Sequence, residues 1–261
     1  MKWQFPHCIG ALDGKHIEIQ PPYGSGTNFY NYKGTRSVVL TAIADADYQF
    51  IYIAVDTKPQ VSDGAVWNDC SFNKCLELNN AGLPGRATLK NSTKRLPYVF
   101  VADNAFPLKE YLLKPFPSRS QTDEQRIFSY RLSRARRTIE NALGIMGSRF
   151  RVLNTRIALS PQKVETVVLA CAALHNFLQK LDPNEYQQLG SMDEENFNSG
   201  TIERGSWRND TRMVPLQRSM TKNPNIHSKR LRDQFCHYFN NEGQVPWQWR
   251  MVESEQRTIV T

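Results

Sequence analysis

Cysteine is scarce and odd in number. Cys8, Cys70, Cys75, Cys171 and Cys236 make five, with no Cys-x-x-Cys and no pairable framework. That excludes a disulfide-built scaffold and points to a reducing compartment. Histidine is equally sparse, at five, and the Cys and His spacings do not make a zinc site. No apolar run is long enough to span a bilayer and no signal-peptide pattern opens the sequence, so no membrane is expected as a partner. Internal repeats are absent. Acidic residues are outnumbered, 25 Asp plus Glu against 33 Lys plus Arg, a net charge of +8 over 261 residues. Such a surplus raises affinity for any polyanion without identifying one. The length suits one large domain, or one domain with an appendage.

What is present begins with strands. Cys8 to Gln20 reads as a first strand, with Ile9, Ala11, Asp13, Ile17 and Ile19 on one side once a kink at Gly14 is allowed. Asp13 stands out there as an acid on an apolar side, although Asp13-Gly14 is also a common turn dipeptide. Pro21 to Gly34 is a loop rich in Gly, Asn and Tyr. Its Tyr and Lys residues suit phosphate or base contacts, or simply a solvated surface. Val38–Ala44 and Phe50–Val55 form a hairpin across Asp45-Ala-Asp47, so the first three strands make an antiparallel meander. Ser62-Asp63-Gly64 opens a helix over Ala65 to Leu78, and Asn79 to Leu96 is a polar loop. Pro97 to Asp103 is a short buried strand ending on a carboxylate. Asp103 either caps a short helix from Ala105 or faces a cleft, where α/β sheets place their ligands. Tyr111 to Pro115 is one more strand.

Thr122 to Phe150 is the strongest helix, with an apolar stripe through Phe128, Leu132, Ala135, Ile139, Leu143 and Met146. Glu140 adjoins that stripe, and a helix ion pair with Arg136, four residues back, is the bland account of it. Lys163 to Lys180 is a second amphipathic helix, with His175-Asn176 read as packing or capping. From residue 181 to 223 apolar periodicity disappears, and a polar linker, disordered in whole or part, is expected. Residues 224–261 form a C-terminal tail with a basic helix over His227 to Asn240 and with Trp247 and Trp249 docking back on the body.

Five sequence words follow in order: Ile9-Gly-Ala-Leu-Asp13-Gly-Lys-His-Ile17, Asn31-Tyr-Lys-Gly34, Ser62-Asp63-Gly64, Ala102-Asp103-Asn-Ala-Phe-Pro-Leu108, and Arg134-Ala-Arg-Arg-Thr-Ile-Glu140-Asn-Ala-Leu-Gly144. Together they closely resemble the Harbinger transposase family and its host-domesticated, transposase-derived nucleases. Phe239-Asn-Asn-Glu-Gly-Gln-Val-Pro-Trp247 resembles animal members. The likeness covers about residues 5 to 180 firmly and the tail loosely. Ala102 stands where the family often has Gly. The family carries an N-terminal segment with a helix-turn-helix-like part ahead of the first catalytic strand. Its lack here is expected to reflect either a truncated gene model or a lost DNA-reading part.

The resemblance implies an α/β, ribonuclease-H-like fold: a mixed sheet flanked by helices, forming a DDE nuclease domain over residues 1–180. There the first and fourth strands are parallel neighbours, roughly 4.8 Å apart, and bring two acids together. It implies Asp13, Asp103 and Glu140 as the DDE triad, with Asp63 as a further acidic position near the metal. Acids without His or Cys suit Mg²⁺ or Mn²⁺. A two-metal hydrolysis of phosphodiester bonds follows, with Asp13 bridging and Asp103 and Glu140 completing one shell each. Lys15, Lys33, Arg136 and Arg137 are the candidate DNA contacts, giving affinity without sequence choice. Expected partners are DNA and a separate Myb/SANT-like DNA-binding protein, with a homo-oligomer admissible. The expected location is the nucleus, with the cytoplasm as a second one. A domesticated DNA- or protein-binding module without turnover is the alternative function.

Overall fold

In the computed structural model, residues 3–56, 63–188, 190–196, 201–210, 212–216 and 223–253 are described. The sheet is organised around β1 (Cys8–Glu18), an 11-residue strand buried along most of its length. Burial on both faces explains its nearly continuous run of apolar and small residues. β2 (Ser37–Ala44) and β3 (Phe50–Asp56) complete an antiparallel meander with β1. β6 (Val99–Val101) lies on the other side of β1 and parallel to it, and β7 (Leu112–Leu113) lies parallel to β6. The order is therefore β3-β2-β1-β6-β7, a mixed α/β sheet with β1 and β6 adjacent at its centre. Before β6 comes a small hairpin, β4 (Ala87–Thr88) with β5 (Arg95–Leu96), inside the stretch expected to be loop.

Helices cover both faces. α3 (Asp123–Arg149) and α4 (Pro161–Leu181) share one apolar core with Ala11 and Ile17 of β1 and Val99 and Val101 of β6. Trp67 of α1 (Asp63–Asp69) and Leu76 of α2 (Ser71–Glu77) form the opposite core with Leu12, Ile43 and Phe100. Ile9 belongs to this second core rather than to the Ala11 side, because the β1–β6 register shifts between Cys8 and Gly10. α3 starts where its sequence says. Thr122 and Gln125 form a reciprocal capping box, worth about 1 kcal/mol. After a 3-10 turn (Arg151–Asn154), α4 runs along the meander edge. Asn176 grips the backbone of Phe50 with both ends of its amide, and His175 is buried against Tyr48 and Tyr186. The His175-Asn176 pair is structural.

Three expectations need correction. The single helix over Ala65 to Leu78 is broken at Cys70, whose backbone is extended. The short helix expected from Ala105 does not form. The chain makes a tight turn in which Ala105 N–H donates to Asp103 at 2.9 Å, and Pro107 removes a donor that a helix would need. Nor is 181–223 a featureless linker. Its described residues carry α5 (Pro183–Gln187), a hairpin of β8 (Glu194–Asn196) and β9 (Thr201–Glu203), α6 (Trp207–Asp210) and β10 (Val214–Pro215). Polar cross-links, not apolar periodicity, hold this segment. α7 (Ile226–Asn240) then packs on α3, its Phe235 stacking on Phe5 and its Phe239 meeting Phe5 edge-on and Phe128 at a tilt. Trp247 docks against Tyr130 and beneath Arg131 and Arg134, whereas Trp249 is exposed. Among the described residues no helix is long and apolar enough to cross a membrane.

Candidate active site

The register of the two central strands places two acids side by side. Ala11 of β1 pairs with Val101 of β6, and both belong to the core under α3. Two residues further along each chain come Asp13 and Asp103, on the same face by the two-residue period of a strand. Asp13 is still within the sheet, and Asp103 is just past its last rung. Glu140 comes from α3, which packs over this face through Leu132, Ala135, Ile139 and Leu143. Glu140 adjoins the buried Ile139, so its carboxylate reaches the helix edge near the strand ends. Asp13, Asp103 and Glu140 line one cavity of about 320 Å³, together with Lys15, Arg136 and Arg208.

The charges in this cavity are matched, three carboxylates to three cations. Lys15 Nζ lies 2.8 Å from Asp13 Oδ2. That contact is electrostatic, without hydrogen-bond alignment, and leaves the buried Oδ2 with no hydrogen-bond partner. Arg136 pairs with Glu140 one helical turn on. Burial works against the Arg136 charge, but the carboxylates of Glu140, Asp13 and Asp103 outweigh it and hold the guanidinium above its ordinary value. Burial is also the main force on Asp103 and pushes its carboxyl up. Asp13 pushes the same way, while Arg136, the Ala105 N–H and Lys15 pull it down. Lys114, buried beside the Asn104 carbonyl, is pushed down mainly by burial and held up by Asp103. Desolvation and like charge thus act against fixed cations in this cavity, an arrangement frequent in functional clefts.

The other expected contacts are dispersed. Arg137 points away from the acids and pairs with Glu195 at 2.7 Å. Lys33 is exposed on a turn held by Asn31, which accepts from the Lys33 and Thr35 N–H groups. It does not line the acid cavity, although neighbouring Tyr32 donates to the Pro215 carbonyl at its edge. Asp63 begins α1, but its side chain lies outside the described residues. Sequence reasoning missed Trp207 and Arg208. Arg208 donates to Asp193 and reaches Glu140 Oε2 at 3.5 Å. The one signal for them was a Trp-Arg pair inside an otherwise polar stretch.

The carboxylates offer an all-oxygen donor set, and Asp13 Oδ2 is buried with Lys15 beside it but no aligned hydrogen bond, which suits a hard divalent cation in kind. Among the described residues no three His, Cys, Asp or Glu side chains gather closely enough to hold an ion. Glu140 is paired with two guanidiniums instead.

Comparison with known proteins identifies the family. A family described as DDE superfamily endonuclease matches residues 12–176. That span takes in all three acids and ends before Trp207. Protein ALP1-like of Arabidopsis thaliana is 28% identical over 199 residues, covering 72% of this chain and 48% of its own. "Putative nuclease HARBI1" of Mus musculus is 26% identical over 174 residues, 66% of this chain and 46% of its own. The protein of the same name from Xenopus laevis is 23% identical over 189 residues, 71% and 50%. The chain spans about half the length of the curated relatives it matches. No solved structure matches.

Proposed function

The chain belongs to the DDE superfamily endonucleases, and from that premise we propose that it is a metal-dependent DNA endonuclease of the transposase-derived kind with Asp13, Asp103 and Glu140 as its catalytic acids. One observation carries this reading: carboxylates from β1, the end of β6 and α3 line a single cavity. Bound Mg²⁺ or Mn²⁺ ions would activate a water and stabilise the leaving 3′ oxygen of a phosphodiester in a two-metal hydrolysis. Asp13 from β1 and Asp103 from the end of β6 would supply ligands, and Glu140 would supply the third. β1 fixes Asp13, and the turn closed by the Ala105 N–H fixes Asp103, so little reorganisation is needed at the moment of reaction.

Lys15 and Arg136 stand among the acids and are placed to hold the phosphate group. Lys33 extends the basic surface outward. Such contacts give affinity and register, not sequence choice. The partners proposed are duplex DNA and a separate Myb/SANT-like protein that selects the site, with both proteins in the nucleus. Self-association is compatible with this and not required by it.

A second reading, a DNA-binding module without turnover, is favoured by the two arginines that occupy Glu140. Nicking of supercoiled plasmid with and without Mn²⁺ separates the two. Cleavage that needs Mn²⁺ and disappears in Glu140→Gln supports the nuclease, since Gln is a comparable helix former and spares the fold. A wild-type chain that retains plasmid in a gel but never nicks it supports the module.

A further inference from the structure

The acid cavity has a roof that the family match does not include. Residues 205–210 and 212–216 form a strap across it. α6 lays Trp207 and Arg208 over α3, and β10 pairs Pro215 with Lys15 and Val214 with His16. The strap is closely seated. A Cβ on residue 144 would fall 2.2 Å from the Trp207 ring, and one on residue 14 would fall 2.1 Å from Leu216. Glycine at these two positions is what permits the approach. Behind the strap, Asp193 is buried and accepts the Gly205 N–H at 2.8 Å and Arg208 Nε at 2.9 Å.

Both oxygens of Glu140 are thus held by guanidiniums, Oε1 by Arg136 and Oε2 by Arg208. The two arginines differ in what they can give up. Arg136 is rooted one turn away on the same helix and sits deep among all three acids. Arg208 arrives on the strap, with its side chain 37% exposed, and its Glu140 contact is long at 3.5 Å. Its stronger partner is Asp193, through both carboxylate oxygens. Releasing Glu140 costs Arg208 one weak contact and leaves the Asp193 pair intact.

We propose that Arg208 is a positioning residue for Glu140, competing with a divalent cation for its outer oxygen and letting go when the cation binds. The inference rests on the metal-dependent reading above. Its physical basis is charge: a guanidinium a few ångströms from the ligand set opposes a second positive charge there. It also accounts for three acids that share a cavity without closing into a ready ligand set.

The test is calorimetric titration of the full chain with Mn²⁺, which reads binding apart from activity. Arg208→Gln should bind Mn²⁺ about tenfold tighter than wild type, within the usual span of site-to-site coupling. In a Glu140→Gln background the same change should have no effect. Because Arg208→Gln strands the buried Asp193, it can fail to fold. Gly144→Ala then decides: its Cβ displaces Trp207, lifts Arg208 from Glu140 and should also tighten Mn²⁺. Unchanged or weaker binding in the folded variant, with wild type binding normally, overturns the role of Arg208 alone. Absence of Mn²⁺ binding in wild type and variants alike overturns the metal reading, and this proposal with it.

Discussion

The indole N–H of Trp207 donates to the side-chain oxygen of Asn141 at 3.0 Å, one residue along α3 from Glu140. The same oxygen accepts the Asp193 N–H at 3.1 Å, and the Asn141 amide nitrogen returns a bond to the Asp193 carbonyl at 3.4 Å. Asn141 is 1% exposed, so it is the buried clasp between α3 and the strap. Asn141→Ala would leave two buried donors without an acceptor, at about 1–3 kcal/mol each. The expected result is a loss of about 2–6 kcal/mol in urea unfolding. A loss under about 0.5 kcal/mol, the usual scale for a surface change, would mean that the strap is held elsewhere.

Divalent cations should stabilise the fold through Asp13 and Asp103. An ion at a hundred times its Kd, bound only by the folded chain, adds about 2.7 kcal/mol, or several degrees in Tm for a chain of this size. Asp103→Asn keeps the shape and the acceptor for the Ala105 N–H, and should remove most of that gain in a Mn²⁺ melting series. An equal shift in wild type and variant would locate the ion away from the paired strands.

The sheet and its acids were readable because each depends on short-range pattern. The two-residue period marked Ala11, Asp13 and Ile17 as one side of β1, and the four-three spacing on α3 put Glu140 beside the core stripe. Glu140 also shows why local reading stops short. Its ion pair with Arg136 and its place in the acid cavity are both real, and sequence offered them as alternatives. Arg208 was out of reach for a different reason. Its bonds to Glu140 and Asp193 span 68 and 15 positions, inside a segment whose order comes from buried polar links that leave no periodicity. The break at Cys70 and the turn after Asp103 were missed because backbone torsions at single residues, not propensity over a window, decide them.

Acid should weaken the fold through His175. Burial lowers its pKa from 6.5 to about 4, with the hydrogen bond to the Tyr48 carbonyl pulling the other way. Below pH 6.5 the unfolded chain takes up a proton that the folded chain refuses. The contribution is therefore complete above that value and lost as pH falls toward 4, roughly 3 kcal/mol over the window. His16 is lowered to about 4 as well, by burial and then by Lys33, and adds to the same slope. His175→Gln should flatten, not abolish, the decline of stability between pH 6.5 and 4 in chemical denaturation. An unchanged slope would mean that His175 is reached by solvent in the folded state.

The last prediction concerns how the chain meets DNA. Its surplus of basic residues is smaller in effect than +8 suggests. Arg134 and Arg137 are committed to Glu195, Arg149 to the Tyr186 carbonyl, and Arg131 lies buried beneath the tail. α3 spends its apolar stripe on the core, and its arginines, Arg136 in the acid cavity apart, are spent on internal partners, so it cannot serve as a recognition helix. The cations left facing outward, such as Lys33 on its tyrosine-bearing turn, can grip phosphates but cannot read base edges. The isolated chain should therefore bind duplexes of unrelated sequence with nearly equal affinity. Log affinity should fall linearly with log salt concentration, and Lys33→Ala should lower the slope by about one unit. Preference for a particular sequence, such as a terminal repeat, should emerge only when a Myb/SANT-like protein is added. Competition binding at physiological salt, terminal-repeat against scrambled duplex, is the measurement. A strong preference shown by the chain alone would mean that it carries its own reading element and does not need the partner.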